Sequence, residues 1–293
     1  MTNELEQKSF ILGTANLGSS YGVANKNSTM QESDVEKILR TAQSLEILEF
    51  DTAPKYGSSE IKLGKYLNQS KPIKISTKLD ETTFGSEKLM FESVHNSLER
   101  TKVKKLDTPY LHNSDWLEGN KVTEIVKGLK EILAAGLTSR IGVSVYDVES
   151  ILRVRKVCPE ISVFQVPENI CDRRLLSSKS MFDMKDDGIL FNVRSIFLQG
   201  LLLMPLERIP LNLQLAGESI SQLQNLANRE RCSVFDLCLS YAKRIPWARG
   251  IVIGTASASQ LSELANSRDY LPLDWESKLT RLPEWILDPR KWL

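Results

Sequence analysis

The sequence predicts a single (β/α)8 barrel, the TIM-barrel fold, with a C-terminal extension. Strand-like and helix-like patterns alternate eight times, and the predicted strands are near-continuous apolar runs, as parallel strands buried on both faces usually are. The eight units occupy roughly 260 residues, a common size for this fold. A doubly wound sheet is disfavoured, because no GxGxxG motif follows the first predicted strand. No low-complexity or charged linker divides the chain, so we expect one domain over residues 1–293, with the barrel at about 10–270 and a tail at 271–293.

The first half of the chain contains four predicted strands, each followed by a helical segment. The strands are apolar runs at residues 11–16, 47–53, 73–79 and 108–113. The helices place apolar residues three and four positions apart and are predicted at 32–45, 59–67, 86–102 and 121–137. The fourth helix has the clearest amphipathic pattern, and Gly136 suits its end.

The second half of the chain repeats this alternation. Its strands are predicted at residues 140–146, 162–169, 189–195 and 250–257. Its helices are predicted at 148–157, 174–186, 215–231 and 234–244, with a last helix that begins near Ala258. The tail is rich in Trp and Pro, and we expect it to fold back over one end of the barrel.

Composition excludes several classes of protein. The formal net charge is +1, so no charge excess points to nucleic acid or to an anionic membrane surface. The four cysteines form no CxxC pair and are expected to be reduced thiols, and the two histidines lack the spacing of a metal site. The N-terminus is polar and acidic, and no apolar run reaches the ~20 residues that cross a bilayer. We therefore expect a cytoplasmic protein without a signal peptide; its oligomeric state stays open.

Four polar side chains follow neighbouring predicted strands. Asp51 and Tyr56 come at and after the end of the second strand, Lys78 at the end of the third and His112 at the end of the fourth. Strand ends on one face of a parallel barrel converge, so we expect these side chains to meet in one pocket. An ammonium beside a phenol lowers the phenol pKa, and we expect Lys78 to do this for Tyr56 while Asp51 anchors Lys78 as an ion pair. A neutral His112 would orient a substrate oxygen.

This set of side chains is suited to protonating a carbonyl oxygen as negative charge develops on it. It contains no evident nucleophile for acyl transfer, and if hydride attacks the carbonyl carbon, a cofactor must carry that hydride. A Schiff-base lyase or aldolase that uses Lys78 as its nucleophile is the second hypothesis. Pairing with Asp51 would oppose it, because the pair keeps the amine protonated.

Several segments together resemble the aldo-keto reductases. FDTAPKYGSSE is similar to the DTAxxYGxxE signature of that family, STKL to its third-strand lysine segment, and YLHN to its fourth-strand histidine segment. GVSVYD, FQVPEN, RSIFLQGLL and VIGTASASQLSEL follow in the order of the family's later motifs, so the resemblance covers about residues 10–265. It implies an NAD(P)H-dependent oxidoreductase that reduces an aldehyde or ketone to an alcohol. It also implies Tyr56 as the general acid, Lys78 and Asp51 as the groups that tune it, and His112 as the group that orients the carbonyl.

The resemblance further implies a binding site for the nicotinamide cofactor. Ser144 and Gln165 resemble contacts of the nicotinamide carboxamide, and Gly13 and Thr14 resemble the first loop. The other implied contacts lie in two later segments: Arg194, Ser195, Leu198 and Gly200 along the nicotinamide and pyrophosphate, and Gly254, Thr255, Ala256, Gln260 and Glu263 at the adenosine end.

Three features depart from the family pattern. Val145 stands where the family often has an asparagine, and Arg194 stands where an aromatic residue commonly stacks on the nicotinamide. The family's arginine for the 2′-phosphate of NADP corresponds to Gln260, and an asparagine four residues later corresponds to Leu264. A 2′-phosphate needs positive charge or several donors. NADPH is therefore expected only as the family default, and NAD is not excluded.

The resemblance is closest to a branch of the family with YGVANK and RSxFLQGLLL segments. That branch is associated with bacterial sugar or surface-polysaccharide metabolism, so a sugar-related carbonyl is a candidate for the small-molecule substrate. From loop position alone, the candidate pocket aromatics are Tyr21, Trp116, Phe197 and Trp292. A third hypothesis is a regulatory subunit that binds the cofactor without rapid turnover, as the channel β-subunits of this family do.

Overall fold

The computed structural model, which describes residues 8–19 and 30–292, is a closed barrel of eight parallel strands. The strands are β1 (Ser9–Gly13), β2 (Glu49–Asp51), β3 (Lys74–Lys78), β4 (Thr108–Leu111), β5 (Ile141–Ser144), β6 (Ile161–Pro167), β7 (Leu190–Arg194) and β8 (Gly250–Gly254). They follow one another around the barrel in chain order, and β1 pairs with β8 to close it. The (β/α)8 barrel predicted from the sequence is confirmed.

Helices lie between the strands and cover the outside of the barrel. They are α1 (Ala15–Gly18), α2 (Glu32–Ser44), α3 (Ser59–Tyr66), α4 (Glu87–Thr101), α5 (Val122–Ala134), α6 (Val148–Val157), α7 (Lys179–Asp186), α8 (Gly217–Glu230), α9 (Val234–Lys243), α10 (Ala258–Asn266) and α11 (Glu284–Leu287). In α2, the residues at positions 35, 38, 39 and 42 are fully buried, which is the spacing of one helix face. Within residues 8–19 and 30–292, no helix is both long enough and apolar enough to cross a membrane.

The observed strands are shorter than the apolar runs that predicted them. The second run, 47–53, contains a strand of only three residues, Glu49–Asp51. Ile47 and Ala53, on either side of this strand, are nevertheless buried. Apolar character therefore follows burial, and burial extends beyond the strand pairing into the loops at both ends of the barrel.

Two other boundaries differ from the prediction. The first strand is Ser9–Gly13 rather than 11–16, because the short helix α1 begins at Ala15. The helix predicted at 174–186 begins only at Lys179, because the preceding residues belong to the loop after β6.

An ion pair closes the amino end of the barrel. The two terminal guanidinium nitrogens of Arg249, which precedes β8, each lie 2.6 Å from a carboxylate oxygen of Glu49 in β2. Lys74 Nζ adds a contact of 3.2 Å to the same carboxylate. A bidentate contact of this kind fixes both side chains in direction as well as in distance.

The tail folds over the carboxyl ends of the strands. Arg173, in the loop after β6, donates hydrogen bonds to the carbonyl oxygens of Glu276 (3.4 Å) and Leu279 (3.2 Å). Further along the tail, the guanidinium carbon of Arg290 lies 3.7 Å from the ring centroid of Tyr146, in the loop after β5. The tail is thus held against two of the loops at this end of the barrel.

Candidate active site

A buried ion pair lies at the carboxyl ends of β2 and β3. Lys78 Nζ donates to both carboxylate oxygens of Asp51, at 2.6 and 2.8 Å, and to the carbonyl oxygen of Thr52 at 3.2 Å. Gln165 Nε2 donates to Asp51 Oδ2 at 2.9 Å. The side chains of Lys78 and Asp51 are only 3% and 7% exposed. A buried pair of charges is tolerated when hydrogen bonds satisfy both partners, as they do here.

Strand register explains why these two residues meet. Asp51 is the last residue of β2 and pairs with Ser76 in β3. Lys78 follows Ser76 by two residues, so it lies on the same face of its strand, one pleat nearer the carboxyl end. From there its flexible chain reaches the carboxylate of Asp51.

Tyr56 lies beside this ion pair in the loop after β2. Lys78 Nζ is 5.7 Å from the centroid of the Tyr56 ring. Burial and the negative charge of Asp51 raise the pKa of Tyr56 above its usual value, while the positive charge of Arg194 acts in the opposite direction. The lowered pKa predicted from the sequence is therefore wrong in its net direction, because burial and the charge of Asp51 outweigh the nearby positive charge. The Tyr56 phenol keeps its proton.

His112 follows β4 and is half-buried next to the same charges. Burial, and then the positive charge of Lys78, lower the pKa of His112 to about 4. The imidazole is therefore neutral at neutral pH, in agreement with the expectation from the sequence. A neutral imidazole can donate a hydrogen bond to an oxygen without giving up its proton.

The four side chains predicted from the sequence are thus brought to one end of the barrel. The charges of Asp51 and Lys78 both act on His112, and that of Asp51 acts on Tyr56, so all four lie within electrostatic reach of one another. The arrangement offers a protonated phenol and a neutral imidazole beside a fixed ion pair. Chemically, such a set can donate a proton to an oxygen and stabilise the charge that develops there.

The predicted carboxamide contacts lie next to each other on β5 and β6. Ser144 and Gln165 are partners in the strand register, and both are buried. The side-chain amide of Gln165 donates a hydrogen bond to Asp51. Gln165 therefore links β6 to the buried ion pair. The side chain of Asp147, which directly follows Tyr146, caps the start of α6.

The loop after β7 makes a tight left-handed turn. Ser195, Leu198 and Gly200 all have positive φ angles, of 62°, 47° and 89°. The Leu198 N–H donates to the carbonyl oxygen of Ser195 at 2.8 Å, and the Gly200 N–H donates to that of Phe197 at 2.9 Å. These two amide groups, predicted as backbone contacts of a cofactor, are therefore engaged within the loop itself.

Arg194 ends β7 and points toward the candidate site. Its guanidinium carbon lies 4.4 Å from the centroid of the Tyr146 ring, and its Nη1 donates to Ser195 Oγ at 3.3 Å. Arg290 of the tail contacts the same tyrosine ring. The sequence did not identify Tyr146 or Arg290 as site residues; the only signal was an aromatic residue two positions after Ser144.

The predicted adenosine-end residues surround the start of α10. Gln260 Oε1 accepts a hydrogen bond from the Ala256 N–H at 2.8 Å, and the Thr255 hydroxyl donates to the Ser257 carbonyl oxygen at 2.8 Å. Glu263 is exposed on the helix, whereas Leu264 is buried. Position 264 is therefore turned into the protein and offers no donor to a ligand.

The backbone is open at the carboxyl end of β8. Gly13 and Gly254 are paired in register, and a Cβ atom at Gly254 would meet no atom within 4 Å. Thr14 is fully buried, and its hydroxyl accepts a hydrogen bond from Ser59 (2.7 Å) and donates one to the Asp51 carbonyl oxygen (3.0 Å). The side chain of Thr14 thus supports the loop rather than facing this space. Asn16, not identified from the sequence, donates to the Thr255 carbonyl oxygen at 3.3 Å.

A cavity of about 400 Å³ opens between the loops after β3 and β4. Its lining residues are mostly polar: Glu81, Asn113, Asp115, Trp116, Gly119, Asn120 and Lys121. Asn113, which directly follows His112 in the chain, is one of these residues, so the cavity borders the candidate site. Of the four aromatics proposed for the pocket, Trp116 lines this cavity and Tyr21 lies outside the described residues.

The other two proposed pocket aromatics are used for packing. Phe197 stacks on Phe235, with ring centroids 5.1 Å apart, and Trp292 donates its indole N–H to the Ile286 carbonyl oxygen at 2.8 Å. Neither lines the cavity. Across the described part of the chain, no group of three or more His, Cys, Asp or Glu side chains is arranged to hold a metal ion.

Comparison with known proteins identifies the family. A model of the aldo/keto reductase family matches residues 9–278. The chain is 23% identical to L-glyceraldehyde 3-phosphate reductase from Escherichia coli in an alignment of 290 positions, which covers 86% of this chain and 83% of that protein. It is 29% identical to D-arabinose 1-dehydrogenase from Saccharomyces cerevisiae over 135 residues, which cover 42% of this chain and only 40% of the yeast protein.

Solved structures share the fold at low sequence identity. A thermostable aldo-keto reductase crystallised with the inhibitor epalrestat has a TM-score of 0.71 at 19% identity, with 92% of each chain covered. A glycerol dehydrogenase from Gluconobacter oxydans has a TM-score of 0.69 at 20% identity, with 92% of this chain and 89% of that chain covered. The family model spans nearly the whole barrel, and the chain therefore belongs to the aldo/keto reductase family, a family of oxidoreductases that act on small carbonyl compounds with nicotinamide cofactors.

Proposed function

We propose that this protein reduces an aldehyde or ketone to an alcohol, with Tyr56 as the general acid. The observation that carries the proposal is the protonated phenol of Tyr56 beside the buried Lys78–Asp51 ion pair and the neutral imidazole of His112. When bound, the nicotinamide cofactor would supply the hydride. The protein supplies the proton and the electrostatic environment in which the carbonyl oxygen becomes negative.

Each of the four residues has a separate part in this proposal. Tyr56 donates its phenolic proton to the carbonyl oxygen, and His112 donates a hydrogen bond that orients the same oxygen. The Lys78 ammonium, 5.7 Å from the Tyr56 ring centroid, limits the cost of the phenolate that remains. Asp51 holds Lys78 in that position. The Schiff-base alternative is disfavoured, because Lys78 Nζ donates to three oxygen atoms and is not free to attack a carbonyl.

The residues proposed to hold the cofactor follow the barrel mouth from β5 around to β1. A hydroxyl, an amide and a guanidinium, from Ser144, Gln165 and Arg194, suit a carboxamide and a pyrophosphate. The open space at Gly254 suits the close approach of a ligand to the backbone. The proposed set is completed by Gly13, Thr14, Ser195, Leu198, Gly200, Thr255, Ala256, Gln260 and Glu263.

The choice between NADPH and NADH depends on the adenosine end of this set. NADPH is the family default, but Gln260 is uncharged and bonded to the Ala256 N–H, and Leu264 is buried. Neither position offers a cation to a 2′-phosphate. We propose that the protein binds both cofactors with weak discrimination. Titration with NADPH and, separately, NADH, followed by tryptophan fluorescence, tests this, and a preference of 100-fold or more, about 2.7 kcal/mol, would contradict it.

We propose a hydroxylated, sugar-related carbonyl compound as the substrate. The cavity beside His112 combines an indole with carboxylates, amides and an ammonium. An aromatic face suits the C–H side of a sugar, and the polar groups suit its hydroxyls. The names of two relatives, a D-arabinose dehydrogenase and a glyceraldehyde-phosphate reductase, agree with this class of compound. Comparing aldoses with apolar aldehydes of equal size tests the proposal, which predicts the higher kcat/KM for the aldoses.

The central experiment is the substitution Tyr56→Phe. It removes the phenolic proton and keeps the ring, so turnover should fall by at least about 100-fold while cofactor binding is retained. Tyr66→Phe is the matched control, because the Tyr66 hydroxyl donates to the exposed Glu32 carboxylate and lies outside the site. Undiminished turnover in Tyr56→Phe would show that another group donates the proton.

A further inference from the structure

Tyr110 connects the Lys78–Asp51 ion pair with the opposite end of the barrel. Its side chain is buried, and its ring centroid lies 5.4 Å from Lys78 Nζ. The Tyr110 hydroxyl accepts a hydrogen bond from Asn192 Nδ2 at 3.0 Å. Arg249, from the ion pair at the amino end, donates to Asn192 Oδ1 at 3.5 Å. Polar groups therefore run through the interior of the barrel, which in this fold is usually filled by branched apolar side chains.

Two glycines make room for these polar side chains. A Cβ atom at Gly142 in β5 would lie 2.5 Å from carbon atoms of the Tyr110 ring. A Cβ atom at Gly250 in β8 would lie 2.7 Å from Asn192 Oδ1. Both distances are too short for any side chain, so the backbone at these positions is packed directly against Tyr110 and Asn192. The Tyr110 ring is thereby confined by the backbone of Gly142 and tied at its hydroxyl.

We propose that Tyr110 is a positioning residue of the active site, whose ring holds the Lys78 ammonium against Asp51 and beside Tyr56. The inference rests on the proposed function of Tyr56 and Lys78. The ammonium lies 5.4 Å from the Tyr110 ring centroid and 5.7 Å from that of Tyr56, and both distances are within the ~6 Å at which a cation is attracted to an aromatic face. A leucine at this position would lack this attraction.

The test varies the charge distribution of the ring without changing its shape. Tyr110→Phe keeps the ring and is the reference, with kcat expected within about threefold of the wild type. Mono-, di- and trifluorinated phenylalanine at position 110 progressively weaken the negative face of the ring. We expect kcat to fall stepwise, by about 30-fold in total, which corresponds to about 2 kcal/mol of cation–π attraction. The KM for the cofactor should not change.

Fluorinated phenylalanine at position 191 is the matched control. Phe191 is also a buried ring on a barrel strand, but the rings that it contacts are those of Trp247, at 5.7 Å between centroids, and Phe164, at 6.0 Å. Fluorination there should leave kcat unchanged. Equal kcat for all the fluorinated residues at position 110 would overturn the proposal, because a residue that only fills space responds to size and not to ring charge.

The Tyr56→Phe variant separates this role of Tyr110 from the proposed function on which it rests. If Tyr56→Phe loses activity but kcat is equal across the fluorinated residues at position 110, only the role of Tyr110 is rejected. Retained activity in Tyr56→Phe would instead reject the proposed function on which that role depends.

Discussion

Replacement of Asp51 by asparagine should leave the Lys78 ammonium buried without a counter-charge. Lys78 Nζ contacts both oxygens of the Asp51 carboxylate, and Gln165 Nε2 contacts one of them. In asparagine one of these oxygens becomes an NH2 group, so in either orientation of the amide a donor faces Lys78 Nζ. The variant loses the ion pair and also gains an unfavourable contact between two donors.

The size of the effect follows from burial. Removing one partner of a buried ion pair costs about 3–5 kcal/mol, because the other charge stays uncompensated. The Lys78 side chain is 3% exposed, so water cannot screen the charge that remains. We therefore expect Asp51→Asn to lower the free energy of unfolding by about 3–5 kcal/mol.

Urea unfolding followed by tryptophan fluorescence measures this difference. Glu32→Gln is the control, because it breaks an ion pair with Lys65 in which the side chains are 52% (Lys65) and 64% (Glu32) exposed; its effect should be much smaller. If Asp51→Asn destabilised the protein no more than Glu32→Gln does, the reasoning from a buried, unscreened pair would be refuted.

Three further predictions concern single side chains. In an NMR titration, the His112 imidazole should show a pKa near 4, and the free energy of unfolding should fall as the pH drops from about 6.5 to about 4, because the unfolded chain is protonated first. Burial raises the pKa of Glu168, which directly follows β6, to about 8. The free energy of unfolding should therefore fall as the pH rises from about 4.5 to about 8. Glu168→Gln should remove this fall when urea unfolding is compared at the two pH values. Gln260→Arg should tighten NADPH binding about tenfold, by ~1.4 kcal/mol, without tightening NADH binding, in fluorescence titrations.

The sequence was sufficient for the fold and for the four polar residues at the strand ends. Both depend on local patterns: alternating apolar runs predict the strands, and a polar residue directly after a strand lies at the barrel mouth. Asp51, Lys78 and His112 each end or follow a strand in this way. Their meeting therefore follows from the topology alone.

Other properties of the site depend on contacts between distant segments. The raised pKa of Tyr56 comes first from burial, which has no signature in the sequence around that residue. The contact between Arg290 and Tyr146 joins the tail to a loop far away in the chain. The inward direction of the Tyr110 side chain could not be predicted, because all four residues of β4 are buried and show no alternation between polar and apolar positions.

The contact between Glu49 and Arg249 has a consequence for folding during translation. These residues are 200 positions apart, and β1 likewise has no partner on one side until β8 has been synthesised. Through most of translation the nascent sheet therefore has an open edge, and such edges attract other chains. The last strand thus converts a sheet that is prone to aggregation into a closed one, so a ribosome that stalls before β8 should release a chain in need of a chaperone.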